Sequence, residues 1–262
     1  MLATDTLKRL WIFSFDRTLT AAGACYAKAR LHRVTRQFLE ELAALPGHRV
    51  AVLSSRPLDD LVSRVPIEGI YLGGSCGTEW HIPGGESMTL SGKPKDMLME
   101  TRDALLPALR AVADLPGVEL EDRRWSAALH TQEASTKARQ TLFARLAAVL
   151  KGWRVALYRN TTMVEIQFLP EITMEFGARA LCRFLGYRGE VVCAGSDEND
   201  ATALRWTLNQ GGTALSLGRD PLVPGARPVV DVRSLARHVR DLAGIDEHHR
   251  MRMAGRRLCN AA

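Results

Sequence analysis

Three short apolar runs, each ending abruptly in small polar and acidic residues, constrain this chain more than any other feature. Leu10-Trp11-Ile12-Phe13 leads into Ser14-Phe15-Asp16. Arg49-Val50-Ala51-Val52-Leu53 leads into Ser54-Ser55-Arg56. Glu190-Val191-Val192-Cys193 leads toward Gly195-Ser196-Asp197. Runs this short and this uniformly apolar read as strands buried on both faces. Between them the period changes. Val34, Phe38, Leu39, Leu42 and Leu45 share one helical face, and Pro46-Gly47 stops that helix. Further helices are expected over Pro57 to Val65, Thr173 to Leu185 and Ala201 to Leu208, and further strands over Ile70 to Leu72 and Thr213 to Leu217. Strands alternating with helices imply an α/β fold with a doubly wound parallel sheet. Ligands of such sheets sit at the carboxyl ends of the strands, so those three polar endings are where chemistry is expected.

The middle of the chain breaks the alternation. Met97 to Leu115 reads as one helix containing Pro107. Val118 to Asp122 and Trp125 to His130 read as strands, and Thr136 to Leu150 as a helix. Trp153 to Tyr158 and Met163 to Phe168 read as a hairpin. This is an α/β unit with its own antiparallel sheet. The expected division is therefore a core of residues 1–96 and 169–262 and an inserted domain of residues 97–168.

Composition excludes several classes. With 46% hydrophobic and 24% charged residues, the chain is neither disordered nor fibrous. The net charge of +6 is spread out, apart from His248-His249-Arg250 and Arg256-Arg257 near the C-terminus, so nucleic acid is not an expected partner. Five cysteines, odd in number and without a CxxC pair, make no metal site or disulfide framework. The start lacks a signal-peptide pattern and no apolar run reaches membrane length, so a cytoplasmic protein with no membrane contact is expected.

The strand endings, in this order, resemble the haloacid-dehalogenase (HAD) superfamily, and most closely its trehalose-6-phosphate phosphatase branch. Leu53-Ser54-Ser55-Arg56-Pro57 is similar to that branch's S-G-R-P. Gly74-Ser75-Cys76-Gly77-Thr78-Glu79 is similar to G-x-H-G-x-E. Arg123-Arg124-Trp125-Ser126-Ala127-Ala128-Leu129-His130 is similar to the cap motif K-x-x-S-x-x-x-H, and Val164-Glu165-Ile166 to V-E-L. The resemblance spans Trp11 to Val232. It implies a HAD-like Rossmannoid core with an inserted α/β cap, and a site that hydrolyses a sugar phosphate.

The chemistry implied by the resemblance is degraded. The family's D-x-D-G-T-L uses its first Asp as nucleophile and its second as general acid and base. Here Ser14 stands at the nucleophile position, Asp16 at the acid/base position and Arg17 at the glycine. The metal motif G-D-D-x-x-D has become Gly195-Ser196-Asp197-Glu198-Asn199-Asp200. Ser196 replaces one metal carboxylate, leaving Asp16, Asp197 and Asp200 as a weak Mg²⁺ set. The motif lysine before Gly177 is Phe176, and no lysine follows Lys151. A second register reads Asp16-Arg17-Thr18-Leu19-Thr20 as a D-K-T-G-T sequence with Asp16 as nucleophile.

The resemblance assigns substrate binding to Ser54, Arg56, Glu79, Arg123, Ser126, His130 and Glu165. Gln132 and Gln167 stand where the family tends to have arginine, and Cys76 where it has histidine. Structural roles compete: Arg56 also suits pairing with Asp59 or Asp60, Asp197 and Asp200 suit a helix start, and His130 suits an ordinary strand site. The leading expectation is a pseudophosphatase that binds a sugar phosphate or a partner enzyme of trehalose metabolism. The alternatives are an active Mg²⁺-dependent phosphatase of trehalose-6-phosphate or a related glycosyl phosphate, and a structural subunit of a sugar-phosphate-synthesising complex. Mg²⁺ is the expected cofactor if the chain is active, and none otherwise.

Overall fold

The computed structural model describes residues 7–21, 26–159 and 161–245. The basic C-terminal cluster, Cys25, Cys259 and Asn160 of the expected hairpin turn lie outside the described residues. The core begins with β1 (Arg9–Ser14), α1 (Arg33–Ala43), β2 (His48–Leu53), α2 (Leu58–Arg64) and β3 (Tyr71–Gly74). Two short strands, β4 (Glu79–His81) and β5 (Ser87–Thr89), follow. After the inserted unit come α5 (Met174–Phe184), β10 (Glu190–Gly195), α6 (Ala201–Asn209), β11 (Thr213–Leu217), β12 (Arg227–Val229) and α7 (Val232–Ala243). One eight-stranded sheet runs β12-β11-β10-β1-β2-β3-β4-β5.

Alternation along β1 divides the core. Trp11, Phe13 and Phe15 join Phe38 and Leu39 of α1 and Leu235 of α7 in one apolar cluster. Leu10 and Ile12 join Leu181 of α5 and Leu204 of α6 in another. Successive side chains of a strand point to opposite faces, so Ser14 continues the Leu10–Ile12 series toward α6. The Trp11 indole N–H donates to His48 Nδ1 at 2.9 Å, which satisfies the polar atom of a fully buried ring.

The sheet is mixed rather than wholly parallel. β3, β4 and β5 form an antiparallel meander on its edge. Strands of three residues give too little period to be read from sequence. β12 and α7 also went unforeseen, although Asp231 caps α7 by accepting from Ser234 N–H and Gly244 closes it at φ 67°.

The middle segment contains α3 (Lys93–Ala113), β6 (Glu119–Asp122), β7 (Ser126–His130), α4 (Thr136–Val149), β8 (Ala156–Arg159) and β9 (Met163–Gln167). Its strands pair antiparallel in the order β6-β7-β9-β8, and α3 and α4 pack on them through Leu105, Leu109, Leu142 and Leu146. Helix α3 begins before Met97, so residues 96 and 97 both lie within it. Pro107 sits inside the helix without ending it. Among the described residues, no helix is long and apolar enough to cross a membrane.

Candidate functional site

A cleft of about 120 Å³ lies between the carboxyl ends of β1, β2 and β10 and the sheet of β6 to β9. It brings together Ser14, Asp16, Ser54, Arg123, His130, Glu165, Asp197 and Asp200 of the residues expected from sequence. Arg56, Glu79, Ser126, Phe176 and Ser196 do not line it. Arg17, Ser55, Tyr158 and Asn199 do, without having been assigned a role.

On the core side, Asp16 is held by a buried cation. The Arg56 Nε and Nη2 groups donate to Asp16 Oδ2 and Oδ1 at 2.7 and 2.6 Å, a bidentate fork. Arg56 Nη1 donates to Asp60 Oδ2 at 2.9 Å, and the guanidinium lies over the Phe15 ring. Arg56 is fully buried. The anion-binding role expected of it therefore gives way to the structural one: its charge is balanced by Asp16 and Asp60 and withdrawn from the cleft. Ser54 Oγ accepts the Arg56 backbone N–H at 3.1 Å, which fixes the turn from which the arginine projects.

Ser14, on the α6 side of β1, donates its hydroxyl to Asp200. Asp200 Oδ2 also accepts the backbone N–H of Ser196 at 2.7 Å and of Asp197 at 3.2 Å. Asp197 Oδ1 accepts the N–H of Asn199 and of Asp200. Burial pushes the Asp200 carboxyl well above its ordinary range, and the adjacent Asp197 adds to this. Burial also raises Asp197, aided by the charge of Asp16. Ser196 Oγ donates to the backbone carbonyl of Asp16 at 3.0 Å, tying the β10 end directly to the β1 loop.

Tested as a Mg²⁺ site, these donors do not fit. Mg²⁺ requires near-octahedral oxygen ligands. Both carboxylate oxygens of Asp16 accept from Arg56 and its carbonyl accepts from Ser196, while Asp197 and Asp200 hold the backbone of their own turn. No three His, Cys, Asp or Glu side chains converge in a metal-binding cluster among the described residues. Phe176 occupies the first turn of α5, half-buried against the core. Gly177 follows because a Cβ there would meet the Cys76 carbonyl oxygen at 2.6 Å.

The other wall is a charge network centred on Arg123, whose side chain is fully buried. Its Nε donates to Glu121 Oε2 at 3.0 Å, its Nη1 donates to Ser55 Oγ at 3.2 Å, and Nη1 lies 3.5 Å from Glu165 Oε1. Ser126 donates to Glu165 at 3.2 Å from behind the cleft. Burial raises the Glu165 carboxyl. His130 Nε2 donates to Glu121 Oε2 at 2.8 Å. Burial would raise Glu121 too, but His130 and Arg123 outweigh it and hold the carboxyl at about 2. Glu79, expected as a sugar-hydroxyl acceptor, pairs instead with Arg124 outside the cleft. Arg123 and Arg124 thus join the β6–β7 turn to the core at two places, Ser55 and Glu79.

The Trehalose-phosphatase family model matches residues 12–223. An uncharacterised glycosyl hydrolase of Mycobacterium tuberculosis is 30% identical over 53% of this chain and 10% of its own length. A trehalose-phosphate phosphatase of Mycobacterium avium is 33% identical over 63% of this chain and 41% of its own length. The chain therefore spans less than half of either relative. The fold is shared with the C-terminal domain of trehalose-6-phosphate phosphatase from C. albicans, with a TM-score of 0.75 at 15% identity over 92% of this chain and 93% of that one. Matched along most of its length, with strand ends converging on one cleft, the chain belongs to the trehalose-phosphatase family.

Proposed function

We propose that this chain is a trehalose-phosphatase-family protein that no longer transfers phosphoryl groups and uses its cleft to bind a sugar or sugar phosphate. The observation that carries the reading is the state of the first strand ending. A neutral Ser14 stands where an anionic nucleophile is needed, and Asp16 two residues on is clamped in a fork by Arg56. A serine attacks phosphorus only with a base to take its proton. Ser14 does hydrogen-bond to Asp200, but that carboxyl is already engaged by the backbone N–H groups of Ser196 and Asp197. Asp16 cannot relay a proton without releasing two charge-assisted hydrogen bonds.

The test is phosphate release from p-nitrophenyl phosphate, trehalose-6-phosphate and glucose-6-phosphate in millimolar Mg²⁺. The expected result is no release above the no-enzyme rate. Turnover of about 1 s⁻¹ or faster, within the ordinary range of enzymes, would overturn the reading.

A further inference from the structure

Another cavity, of about 680 Å³, lies between α5 and α6 at the amino end of β10, whereas the cleft lies at the carboxyl end of that strand. Local sequence builds it. Leu185 ends α5, and Gly186 at φ 59° reverses the chain. The Tyr187 N–H donates to the Cys182 carbonyl at 2.9 Å and the Gly186 N–H to the Arg183 carbonyl at 3.1 Å. This paired closure carries Tyr187 and Arg188 back beside the last turn of the helix. The Tyr187 hydroxyl lies 2.9 Å from the Lys8 carbonyl oxygen and 3.0 Å from that of Glu190. Gly189 leaves the space that the Tyr187 ring fills, since a Cβ there would collide with it. The turn is thus pinned against the start of β10.

Three exposed arginines rim this cavity. Arg179 and Arg183 stand one turn apart on α5, and Arg188 comes from the pinned turn. Like charges at i and i+4 repel, so the spacing carries a small cost in the free chain. No carboxylate lines the cavity among the described residues. The acids close by in sequence are engaged: Glu175 accepts from Arg179 at 3.1 Å, an exposed pair of little strength, and Glu190 pairs with Arg9 at 2.5 Å. Arg183 and Arg188 have no carboxylate partner among the described residues. Opposite them stand half-buried Trp206 of α6 and, one turn on, Gln210. Guanidinium forks bind phosphate oxygens in pairs, and nucleobases stack on aromatic rings. The volume falls within the roughly 300–1,000 Å³ of small-molecule sites. We infer that this cavity binds a nucleoside polyphosphate, its phosphates on Arg179, Arg183 and Arg188 and its base against Trp206. The site is separate from the cleft and independent of the function proposed for it.

The test is calorimetric titration of the full chain with ATP, tripolyphosphate and adenosine in low-salt buffer free of divalent cations. ATP is expected to bind more tightly than tripolyphosphate, which lacks the base, and than adenosine, which lacks the phosphates. Added salt is expected to weaken ATP, because exposed charges are screened. Arg183→Gln with Arg188→Gln is expected to lower ATP affinity by about tenfold or more at an unchanged melting temperature, both side chains being exposed. The cleft holds cations of its own in Arg17, Arg123 and Arg159, so Arg17→Gln with Arg159→Gln is the control and is expected to leave ATP affinity unchanged. Trp206→Leu is expected to reduce ATP to the affinity of tripolyphosphate. Three results would each overturn the inference: no ATP binding at millimolar concentration, tripolyphosphate as tight as ATP in the native chain, or a loss of ATP affinity in the cleft pair rather than in the Arg183 and Arg188 pair.

Discussion

Arg17 occupies the turn after β1 with φ 58°, a left-handed conformation in which a side chain bearing Cβ is strained. The family uses glycine at this place, and the geometry gives the reason. Arg17→Gly is expected to stabilise the fold by about 0.5–1 kcal/mol in urea denaturation, the relief of strain being partly offset by glycine's greater freedom in the unfolded chain. Glu121 makes the second residue-scale prediction. Its carboxyl is held at about 2, below the unfolded value, so its contribution is complete above the ordinary carboxylate pKa and is lost as pH falls through 2. Stability measured between pH 5 and pH 2 is expected to drop by about 2 kcal/mol more in the native chain than in Glu121→Gln. Neither Glu121 nor its role was legible in the sequence. It faces Ala128 across the β6–β7 ladder, and His130, two residues on, is its diagonal neighbour on the same sheet face. Only strand register creates that meeting.

At the scale of elements, α5 keeps the frame of its motif with Phe176 at the position expected for the lysine. Thr173 caps it, its hydroxyl accepting the N–H of Phe176 at 3.3 Å. Gly177 allows the helix to lie against the turn at Ser75–Gly77. Thr173→Ala is expected to cost about 1 kcal/mol in thermal or chemical denaturation. Gly177→Ala is expected to cost about 2–3 kcal/mol, because its Cβ must push the Cys76 carbonyl and a backbone cannot yield as a side chain can. The larger loss at Gly177 would show that this glycine is retained for packing, independent of any lysine before it. The sequence pattern located α5 to within a residue at each end, since Thr173 and the apolar face are local signals. It did not show the close approach of Gly177 to Cys76, which belongs to two segments far apart in the chain.

For the whole molecule, the substitutions at Ser14, Phe176 and Ser196 form one hypothesis of loss on an intact scaffold. Ser14→Asp, Phe176→Lys and Ser196→Asp together, with Arg17→Gly, are expected to release phosphate slowly from an activated aryl phosphate in Mg²⁺. Each single replacement is expected to release none, because groups that act as a unit contribute non-additively. The structure adds a physical reason. Ser14→Asp alone places a further carboxylate beside Asp200 and Asp197, whose carboxyls burial already pushes up, and Ser196→Asp removes the hydroxyl that holds the Asp16 carbonyl. A quadruple variant that folds, binds Mg²⁺ by calorimetry and releases no phosphate would show that the motif positions are misaligned.

The sequence by itself determined the α/β class, the family and the strand ends that meet at the cleft. Those follow from hydrophobic period and contiguous motifs, which are local properties of a chain. The tertiary structure decided what each charged group is for. Arg56 is an anion binder or a clamp according to what lies within 3 Å of it, and Asp16, forty residues earlier, arrives there only because β1 and β2 are neighbours in one sheet. Glu79 meets Arg124 because the β6–β7 turn folds onto β4, and the packing around Asn199 leaves its Oδ1 without a partner among the described residues. Pairing energies fall steeply with distance, and distance between remote residues exists only in the fold.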